Sequence, residues 1–305
     1  MNQINGQINY DINHIVEAIT KDKKAMVKAS EKNYRKGVEA IVDEISKDIE
    51  NKNLLLICGP SSSGKTTTSD IIVKALGKKG FPALVVSMDN FFINRKDTPI
   101  LPNGARDYDN ITALNLELFK KCMNELLENQ YTKLPIYDFY TGVRQDDVVE
   151  TRITKDTVII VEGLHAFNPL CISSTMQKNA IKIFVCPESG FSKNFDTLIS
   201  AQKLRFTRRL IRDFCSRGHS IKETETMWKN VLDSEKKFIL PFKKYADFII
   251  DTTHAYEPFL YNKKIAEFIK KDENFKNYLF AGVPKTDLDY EDISPMSLIW
   301  EFLGA

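Results

Sequence analysis

The run Gly-Pro-Ser-Ser-Ser-Gly-Lys-Thr at positions 59–66 is the feature that most restricts how this chain can fold. It follows the apolar residues 54–58, which have the composition of a buried strand, and it precedes a segment with helical spacing of apolar positions. The run has the pattern G-x-x-x-x-G-K-[ST], in which a strand passes through a glycine-rich turn into a helix. Glycine allows the backbone to approach an anion closely, and successive N–H groups with the helix N-terminus attract negative charge. The pattern therefore predicts a phosphate-binding loop (P-loop) and a bound nucleoside triphosphate.

Two side chains of this loop have a direct role in the predicted chemistry. Lys65 can reach the β- and γ-phosphates of ATP, and the Thr66 hydroxyl can ligate Mg²⁺. We therefore predict ATP and Mg²⁺ as ligands, although the sequence leaves open the choice between ATP and GTP. The loop residues predicted to bind the nucleotide are Gly59, Ser61, Ser62, Ser63, Gly64, Lys65, Thr66 and Thr67.

The composition restricts the class of protein and its partners. Of the 305 residues, 43% are hydrophobic and 28% are charged, and the net charge of +2 gives no electrostatic reason to expect nucleic acid or a membrane surface as a partner. The five cysteines are scattered without a C-x-x-C pair, which argues against zinc and against a disulfide framework. The first residues lack the pattern of a signal peptide, and no apolar run has the length of a membrane span. We therefore expect a cytoplasmic protein.

From about residue 53 the sequence alternates between strand-like and helix-like segments. The strand-like segments are 53–58, 82–88, 157–161, 181–185 and 247–251. The helix-like segments are 64–79, 113–129, 194–215, 221–238 and 256–271. This alternation predicts an α/β fold, with a parallel sheet of the P-loop NTPase type flanked by helices. Residues 133–156 read as short strands with turns and predict a small β-hairpin insertion beside the nucleotide site.

Acidic residues stand at or just after three predicted strand ends, at Asp89, Glu162 and Asp251. Ligands of parallel sheets bind beyond the carboxyl ends of the strands. Asp89 can accept the proton of an attacking hydroxyl or bind the metal's water shell, or it can be a turn residue, because Asp89-Asn90 is a good turn pair. Glu162 ends a second apolar strand and is predicted to hold Mg²⁺ through water.

Arginines crowd one predicted helix, at positions Arg205, Arg208, Arg209, Arg212 and Arg217. The first four fall at i, i+3, i+4 and i+7 and share one helix face, where like charges repel unless an anion faces them. Such a stripe is either a solvated face or an arginine-bearing lid that neutralises a transferring phosphoryl group and excludes water. Gly218 offers a hinge for the lid.

Several further segments match known motifs in order along the chain. They are Ser87-Met88-Asp89-Asn90-Phe91-Phe92, Asp107-Tyr108-Asp109-Asn110, Pro135-Ile136-Tyr137-Asp138-Phe139, Val161-Glu162-Gly163-Leu164-His165-Ala166, Arg208-Arg209-Leu210-Ile211-Arg212-Asp213 and Lys244-Tyr245-Ala246-Asp247. Together with the P-loop they resemble the uridine kinase family, within the broader phosphoribulokinase, uridine kinase and pantothenate kinase group. The likeness spans about residues 50–270. A bacterial uridine kinase-like branch is closer still, because it is similar at Arg217-Gly218-His219-Ser220 and near the C-terminus at 294–304.

The resemblance implies ATP-dependent phosphorylation of a small-molecule hydroxyl, above all the 5′-hydroxyl of a nucleoside. The catalytic residues that it implies are Asp89 as general base, Lys65, Arg209 and Arg212. The metal ligands that it implies are Thr66, Glu162 and Asp89, and Arg217 joins the loop residues in binding ATP. The substrate-binding residues that it implies are Asp109, which accepts hydrogen bonds from the ribose 2′- and 3′-hydroxyls, Tyr137, which lies against the base, Arg144, Arg209 and His219.

Two positions depart from the pattern of uridine–cytidine kinases. Gly142 stands where those enzymes have a histidine that reads the pyrimidine, and His219 stands where they have a second lid arginine. Because a site built around a hydrogen bond discriminates strongly, the loss of that group relaxes selectivity. The acceptor therefore stays open between a nucleoside and another polyol or sugar, such as a phosphopentose or pantothenate. A non-catalytic ATP-sensing module is a further alternative, against which the retained Lys65 and Asp89 argue.

We divide the chain into three parts. Residues 1–50 are predicted to form an N-terminal helical extension, 51–271 a P-loop kinase domain, and 272–305 a C-terminal tail that packs on the core. The sequence leaves open the role of the extension and the oligomeric state, and a homo-oligomer is compatible with it.

Overall fold

This computed structural model describes residues 2–4, 8–101, 104–268 and 279–304. Its strands are β1 (Asn2–Ile4), β2 (Asn9–Asp11), β3 (Leu54–Cys58), β4 (Ala83–Ser87), β5 (Tyr131–Asp138), β6 (Val143–Arg152), β7 (Val158–Gly163), β8 (Ala180–Cys186), β9 (Gly190–Lys193), β10 (Asp196–Ile199) and β11 (Phe248–Asp251). Its helices are α1 (Ile12–Ile45), α2 (Lys65–Lys78), α3 (Leu116–Asn129), α4 (Ser174–Asn179), α5 (Ala201–Arg217), α6 (Ile221–Phe238), α7 (Glu257–Phe268) and α8 (Trp300–Leu303).

A six-stranded sheet with the order β1-β11-β8-β3-β7-β4 forms the centre of the fold. Every described strand pair in this sheet is parallel, which confirms the predicted α/β class. Alternate residues of β3 belong to different layers, because successive side chains of a strand point to opposite faces. Leu55 and Ile57 pack in a core with α1, α2 and α5, whereas Leu54 and Leu56 pack in a second core with α3. Since helices cover both faces, β3 is apolar along its whole length.

Two smaller sheets lie outside the central one. β5 and β6 pair as the predicted antiparallel hairpin. β9 lies between β10 and β2 in a three-stranded sheet, and this arrangement corrects the prediction of a helix from residue 194. Residues 196–199 pair with β9, and the helix begins only after Ser200, whose side chain accepts a hydrogen bond from the Lys203 N–H group. The cap and the strand partner therefore determine the helix start.

The N-terminal segment is helical over most of its length. Asp11 caps α1 by accepting hydrogen bonds from the N–H groups of Asn13 and His14. The helix is interrupted at Asp22, which has φ −163° and ψ 92°. The second half of α1 buries Val38, Ile41, Val42 and Ile45 in the main core, and β2 pairs with β9. The boundary at residue 50 remains a prediction.

The C-terminal segment lies against the same core. Leu298, Ile299 and Phe302 are buried in it, together with side chains of α5 and α7. The last part of the predicted helix 256–271, at 269–271, and the tail residues 272–278 lie outside the described residues. Among the helices that the structure describes, none combines the length and hydropathy needed to cross a membrane.

Candidate active site

The P-loop connects β3 to α2 at the centre of the sheet. Gly59 passes so close to β8 that an added Cβ would lie 2.0 Å from the Val185 carbonyl oxygen, and Gly64 has φ +90°, which favours glycine. The Ser62 and Ser63 hydroxyls are buried and have no hydrogen-bond partner in the described part of the chain. Buried hydroxyls without partners are unfavourable unless a ligand satisfies them. The loop therefore fits the phosphate groups of a nucleotide.

Lys65 lies at the start of α2 and its ammonium group donates to the Pro60 carbonyl oxygen at 3.3 Å. Its positive charge opposes the rise in pKa that burial imposes on Asp89, Glu162 and Asp109. These carboxyl groups therefore share the electrostatic field of one lysine. At the carboxyl ends of the central strands, the structure thus brings together residues that the sequence predicted from separate motifs.

The pairing of β4 with β7 determines where Asp89 and Glu162 lie. Asp89 lies in the 3-10 turn that follows β4, where its N–H group donates to the Ser87 hydroxyl at 3.3 Å. Ser87 is the direct neighbour of Glu162 across the strands and its hydroxyl donates to Glu162 Oε1 at 3.4 Å. The other Glu162 oxygen is buried without a described partner. Burial raises the pKa of both carboxyl groups, with Lys65 opposing it.

The fit of this donor set to Mg²⁺ can be judged from the same atoms. The Thr66 side chain is exposed at the first turn of α2, and Glu162 Oε2 is free to accept a hydrogen bond from a metal-bound water. Within the described residues, no group of three or more His, Cys, Asp or Glu side chains could hold a metal ion. A magnesium ion here would therefore depend on the hydroxyl, on water and on nucleotide phosphates, as is usual for this ion.

Two of the clustered arginines are structural. Arg208 is fully buried on α5, where Nε and Nη2 donate to the Glu257 carboxylate at 2.8 and 2.7 Å. Arg205 is 5% exposed and its Nη2 donates to Glu235 Oε2 at 2.6 Å. The expectation that both belong to an exposed or ligand-facing stripe is therefore wrong. Their carboxylate partners lie far along the chain, so that the local spacing could not identify them.

The other three arginines converge on one carboxylate. Arg209, Arg212 and Arg217 approach Asp213 with N···O distances of 3.1, 3.1 and 3.5 Å, and Arg209 Nη1 also donates to the Ser61 hydroxyl of the P-loop at 2.9 Å. Three positive groups face a single negative one, which leaves excess positive charge beside the loop. Arg212 and Arg217 also oppose the rise in the pKa of Asp89. The positive charge of this cluster can bind and neutralise a phosphoryl group next to Asp89.

Asp109 and Tyr137 are the residues predicted to bind the acceptor, and Asp109 interacts electrostatically with Asp89. Burial raises the pKa of Asp109, Arg209 opposes this effect, and the charge of Asp89 adds to it. Tyr137 is 4% exposed, and its ring meets those of Phe92 and Phe139 edge to face at 5.6 and 5.0 Å between centroids. The ring of Tyr108, the residue before Asp109, packs against Phe92 at 5.7 Å between centroids, so that the segment carrying the carboxylate lies against this aromatic wall. Such a combination suits a hydroxylated ligand with a flat ring.

Position 142 requires glycine because Arg95 lies directly against it. Gly142 has φ +72°, and an added Cβ would lie 2.6 Å from Arg95 Cβ and Nε. The Arg95 N–H group donates to the Gly142 carbonyl oxygen at 2.8 Å, and its Nε donates to the Tyr108 hydroxyl at 3.2 Å. Arg95 therefore occupies the space that a side chain at position 142 would need. No motif in the sequence indicated Arg95.

Arg144 and His219 are predicted substrate-binding residues that have described contacts outside the P-loop. The Arg144 guanidinium pairs with Asp146, with Nε 2.5 Å from Oδ1, and donates to the Phe92 carbonyl oxygen at 3.1 Å. His219 follows α5, and its N–H group donates to the Asp213 carbonyl oxygen at 3.1 Å. Their contact with a substrate remains a prediction.

Two residues near the site had little or no signal in the sequence. His165 follows β7, is 3% exposed, and neither ring nitrogen has a hydrogen-bond partner among the described residues. Burial lowers the pKa of His165 to about 4. Glu301 of α8 accepts hydrogen bonds from Thr67 of the P-loop helix. The first could be suspected from its place after a strand end, whereas the second depends on how the C-terminus packs.

Residues 54–256 match the family model described as "Phosphoribulokinase / Uridine kinase family". The chain belongs to this family. It is similar to the uridine kinase of Ligilactobacillus salivarius (strain UCC118), with 30% identity over 66% of this chain and 86% of the relative. It is similar to the uridine kinase of Bacillus pumilus (strain SAFR-032), with 31% identity over 64% of this chain and 83% of the relative. Among solved structures, D-glycerate 3-kinase from Cryptococcus neoformans aligns with a TM-score of 0.46 at 16% identity, over 66% of this chain and 88% of that chain.

Family membership and the similarity to curated uridine kinases identify the chain as an ATP-dependent small-molecule kinase. The matched region contains the P-loop, the acidic strand ends and all the clustered arginines, whereas α1 and the C-terminal segment lie outside it. The residues predicted to bind ATP therefore lie within the family region, whereas Glu301 lies beyond it.

Proposed function

We propose that this kinase transfers the γ-phosphoryl group of ATP to the 5′-hydroxyl of a uridine- or cytidine-like nucleoside. The observation that carries the proposal is that the carboxyl groups of Asp89 and Asp109 interact electrostatically with each other and with Lys65 of the P-loop. A base that shares one site with a phosphate-binding lysine and a second carboxylate suits the phosphorylation of a nucleoside, in which the second carboxylate binds the ribose diol. The names of the relatives, which are uridine kinases, support the choice of acceptor.

Asp89 accepts the proton of the attacking hydroxyl as the new O–P bond forms. The bond between the γ-phosphorus and the bridging oxygen breaks, and ADP leaves with the electron pair of that bond. Because burial raises the pKa of Asp89, its carboxylate is a stronger base than an exposed aspartate. Lys65 and the loop N–H groups hold the phosphates, and Arg209, Arg212 and Arg217 face the charge that spreads over the transferring group.

Thr66, through its hydroxyl, and Glu162, through water, would hold Mg²⁺, which would supply positive charge to the phosphates of ATP. Ser87 holds Glu162 in place from the neighbouring strand.

On the acceptor side, Asp109 accepts hydrogen bonds from the ribose 2′- and 3′-hydroxyls, and Tyr137 with Phe92 packs against the base. Phosphorylation of another polyol by the same donor apparatus is the alternative, because a carboxylate binds any vicinal diol. The aromatic wall supports the nucleoside, since a sugar phosphate has no flat ring to cover it.

The proposal is tested by incubating the protein with ATP, Mg²⁺ and one acceptor from a panel of nucleosides, pantothenate and sugar phosphates. We expect ADP release that depends on a nucleoside, together with formation of the nucleoside monophosphate. Asp109→Asn should raise the KM of the nucleoside while leaving the KM of ATP nearly unchanged. ADP release that is independent of any acceptor, or that requires a sugar phosphate, would contradict the nucleoside assignment.

A further inference from the structure

The C-terminal segment 294–304, which we call the strap, lies across the start of the P-loop helix. Glu301 Oε2 accepts hydrogen bonds from the Thr67 N–H group at 3.2 Å and from the Thr67 hydroxyl at 2.7 Å. The Thr67 N–H group belongs to the first turn of α2, whose N–H groups have no partner within the helix. A carboxylate of the same chain therefore occupies donors that a P-loop directs toward an anion.

The strap is firmly packed on both sides of this contact. Leu298 touches the loop at Gly64, where an added Cβ would lie 2.6 Å from Leu298 Cδ1. Phe302 is fully buried, and the Arg208 guanidinium lies 4.8 Å from the centroid of its ring. The Ser297 hydroxyl is 3.0 Å from the Tyr256 hydroxyl. These contacts fix the backbone around Glu301, so the position of its carboxylate is determined by buried neighbours.

The charge of Glu301 acts on the same groups as the nucleotide would. It contributes to raising the pKa of Glu162 and it favours the charged form of Arg212. A triphosphate bound in the loop would bring several negative charges close to this carboxylate, and both anions cannot accept the same Thr67 hydrogen bonds. Electrostatic repulsion and competition for donors therefore oppose simultaneous occupation.

We propose that Glu301 is an internal substitute for a nucleotide phosphate, whose carboxylate must release Thr67 when ATP binds. The strap would thereby stabilise the P-loop in the nucleotide-free enzyme and lower its affinity for ATP. This inference rests on the donor half of the proposed function, that is, on ATP binding in the loop. It requires no particular acceptor, so the inference about Glu301 and the assignment of a nucleoside acceptor can fail separately.

The first test measures ATP binding in the absence of any acceptor, by calorimetry on the full chain. Glu301→Ala should bind ATP about tenfold more tightly than the wild type, since a lost pair of charge-assisted hydrogen bonds no longer competes. Glu301→Gln, which keeps the shape without the charge, should fall between the two. Glu291→Gln, at an exposed position in the preceding turn 290–292, is the matched control and should bind ATP as the wild type does.

An equal or higher dissociation constant for Glu301→Ala would overturn the inference, because Glu301 would then be neutral or would assist the nucleotide. If the wild type and all variants fail to bind ATP, the proposed function falls and this inference falls with it. If the wild type binds ATP and phosphorylates no nucleoside, only the acceptor assignment fails.

The second test separates competition from a merely structural contact. Without ATP, Glu301→Ala should melt at a lower temperature than the wild type, because the Thr67 donors lose their partner. With saturating ATP the two melting temperatures should become equal, so that the nucleotide stabilises the variant more than it stabilises the wild type. A deficit of the same size with and without ATP would indicate a structural role only and would contradict the inference.

Discussion

The substitutions Thr252→Val and Thr253→Val make the same chemical change at adjacent buried positions, yet we expect them to differ strongly. The Thr252 hydroxyl donates to the Ser63 carbonyl oxygen at 2.7 Å and accepts from Arg208 Nη1 at 3.0 Å. The Thr253 hydroxyl has no hydrogen-bond partner in the described part of the chain. The pair therefore isolates the contribution of one hydroxyl that ties the P-loop to the buried arginine.

The expected magnitude follows from the groups that lose a partner. Thr252→Val removes one hydrogen bond to a charged donor and one to a backbone carbonyl, which together cost about 2–4 kcal/mol in a buried setting. Arg208 keeps its bonds to Glu257 and to the Thr252 carbonyl oxygen, so that the loss is partial. For a chain of 305 residues, we expect the melting temperature to fall by roughly 3–6 °C. Thr253→Val removes a hydroxyl without a described partner, and its stability should stay within about 1 kcal/mol of the wild type.

The assay compares the melting temperatures of the two variants and the KM of each for ATP. Because Ser63 belongs to the P-loop, Thr252→Val should also raise the KM for ATP, whereas Thr253→Val should leave it unchanged. Equal melting temperatures for the two variants would refute the reasoning, since the network around Ser63 would then contribute nothing measurable.

Three further predictions concern the base, the buried ion pair and the buried histidine. Asp89→Asn should lower kcat by about 10²-fold or more while the dissociation constant for ATP stays nearly constant, and a near-normal kcat would remove Asp89 from the mechanism. Glu257→Gln should cost about 3–5 kcal/mol in unfolding free energy because it leaves Arg208 buried and uncompensated, whereas Glu267→Gln, in a partly exposed pair, should cost no more than about 1 kcal/mol by the same denaturation assay. The pKa of His165 is about 4 when folded and 6.5 ordinarily, so the unfolded chain binds the proton first and stability falls as the pH drops from 6.5 toward 4. Between pH 7 and pH 5 the wild type should therefore lose about 2 kcal/mol more than His165→Gln in denaturant titrations, and equal losses would contradict a buried neutral histidine.

The sheet and the donor site could be predicted because their signals are local. The P-loop pattern, the apolar strand before it and the helix after it are contiguous, and the structure reproduces them within a residue or two. The limits of α6 were predicted at 221–238 and found at Ile221–Phe238, since Ser220 and Glu223 form a capping box that marks the start of the helix. The sequence therefore predicted the helices and strands whose limits are determined by their own residues.

Contacts between distant segments could not be predicted from the sequence. Arg208 and Glu257 pair across 49 positions, and Thr67 and Glu301 across 234. The spacing of residues within one helix or strand cannot identify such a distant partner, because the partner depends on how the whole chain packs. The same reason explains Gly142, which was interpreted as a lost side chain, whereas the structure shows Arg95 in the space beside it.

The division of the arginines on α5 affects how activity measurements on this enzyme should be interpreted. Arg208 connects the phosphate loop to Thr252 and Glu257 from a fully buried position, whereas Arg209 touches the loop at Ser61 from the edge of the site. Removal of Arg208 would therefore reduce activity by displacing the loop, with a parallel loss of stability. Removal of Arg209 would reduce activity by withdrawing charge from the transferring phosphoryl group, with a smaller loss of stability. A kinetic defect on this helix indicates catalysis only when the melting temperature is largely preserved, because the adjacent residues Arg208 and Arg209 have different roles.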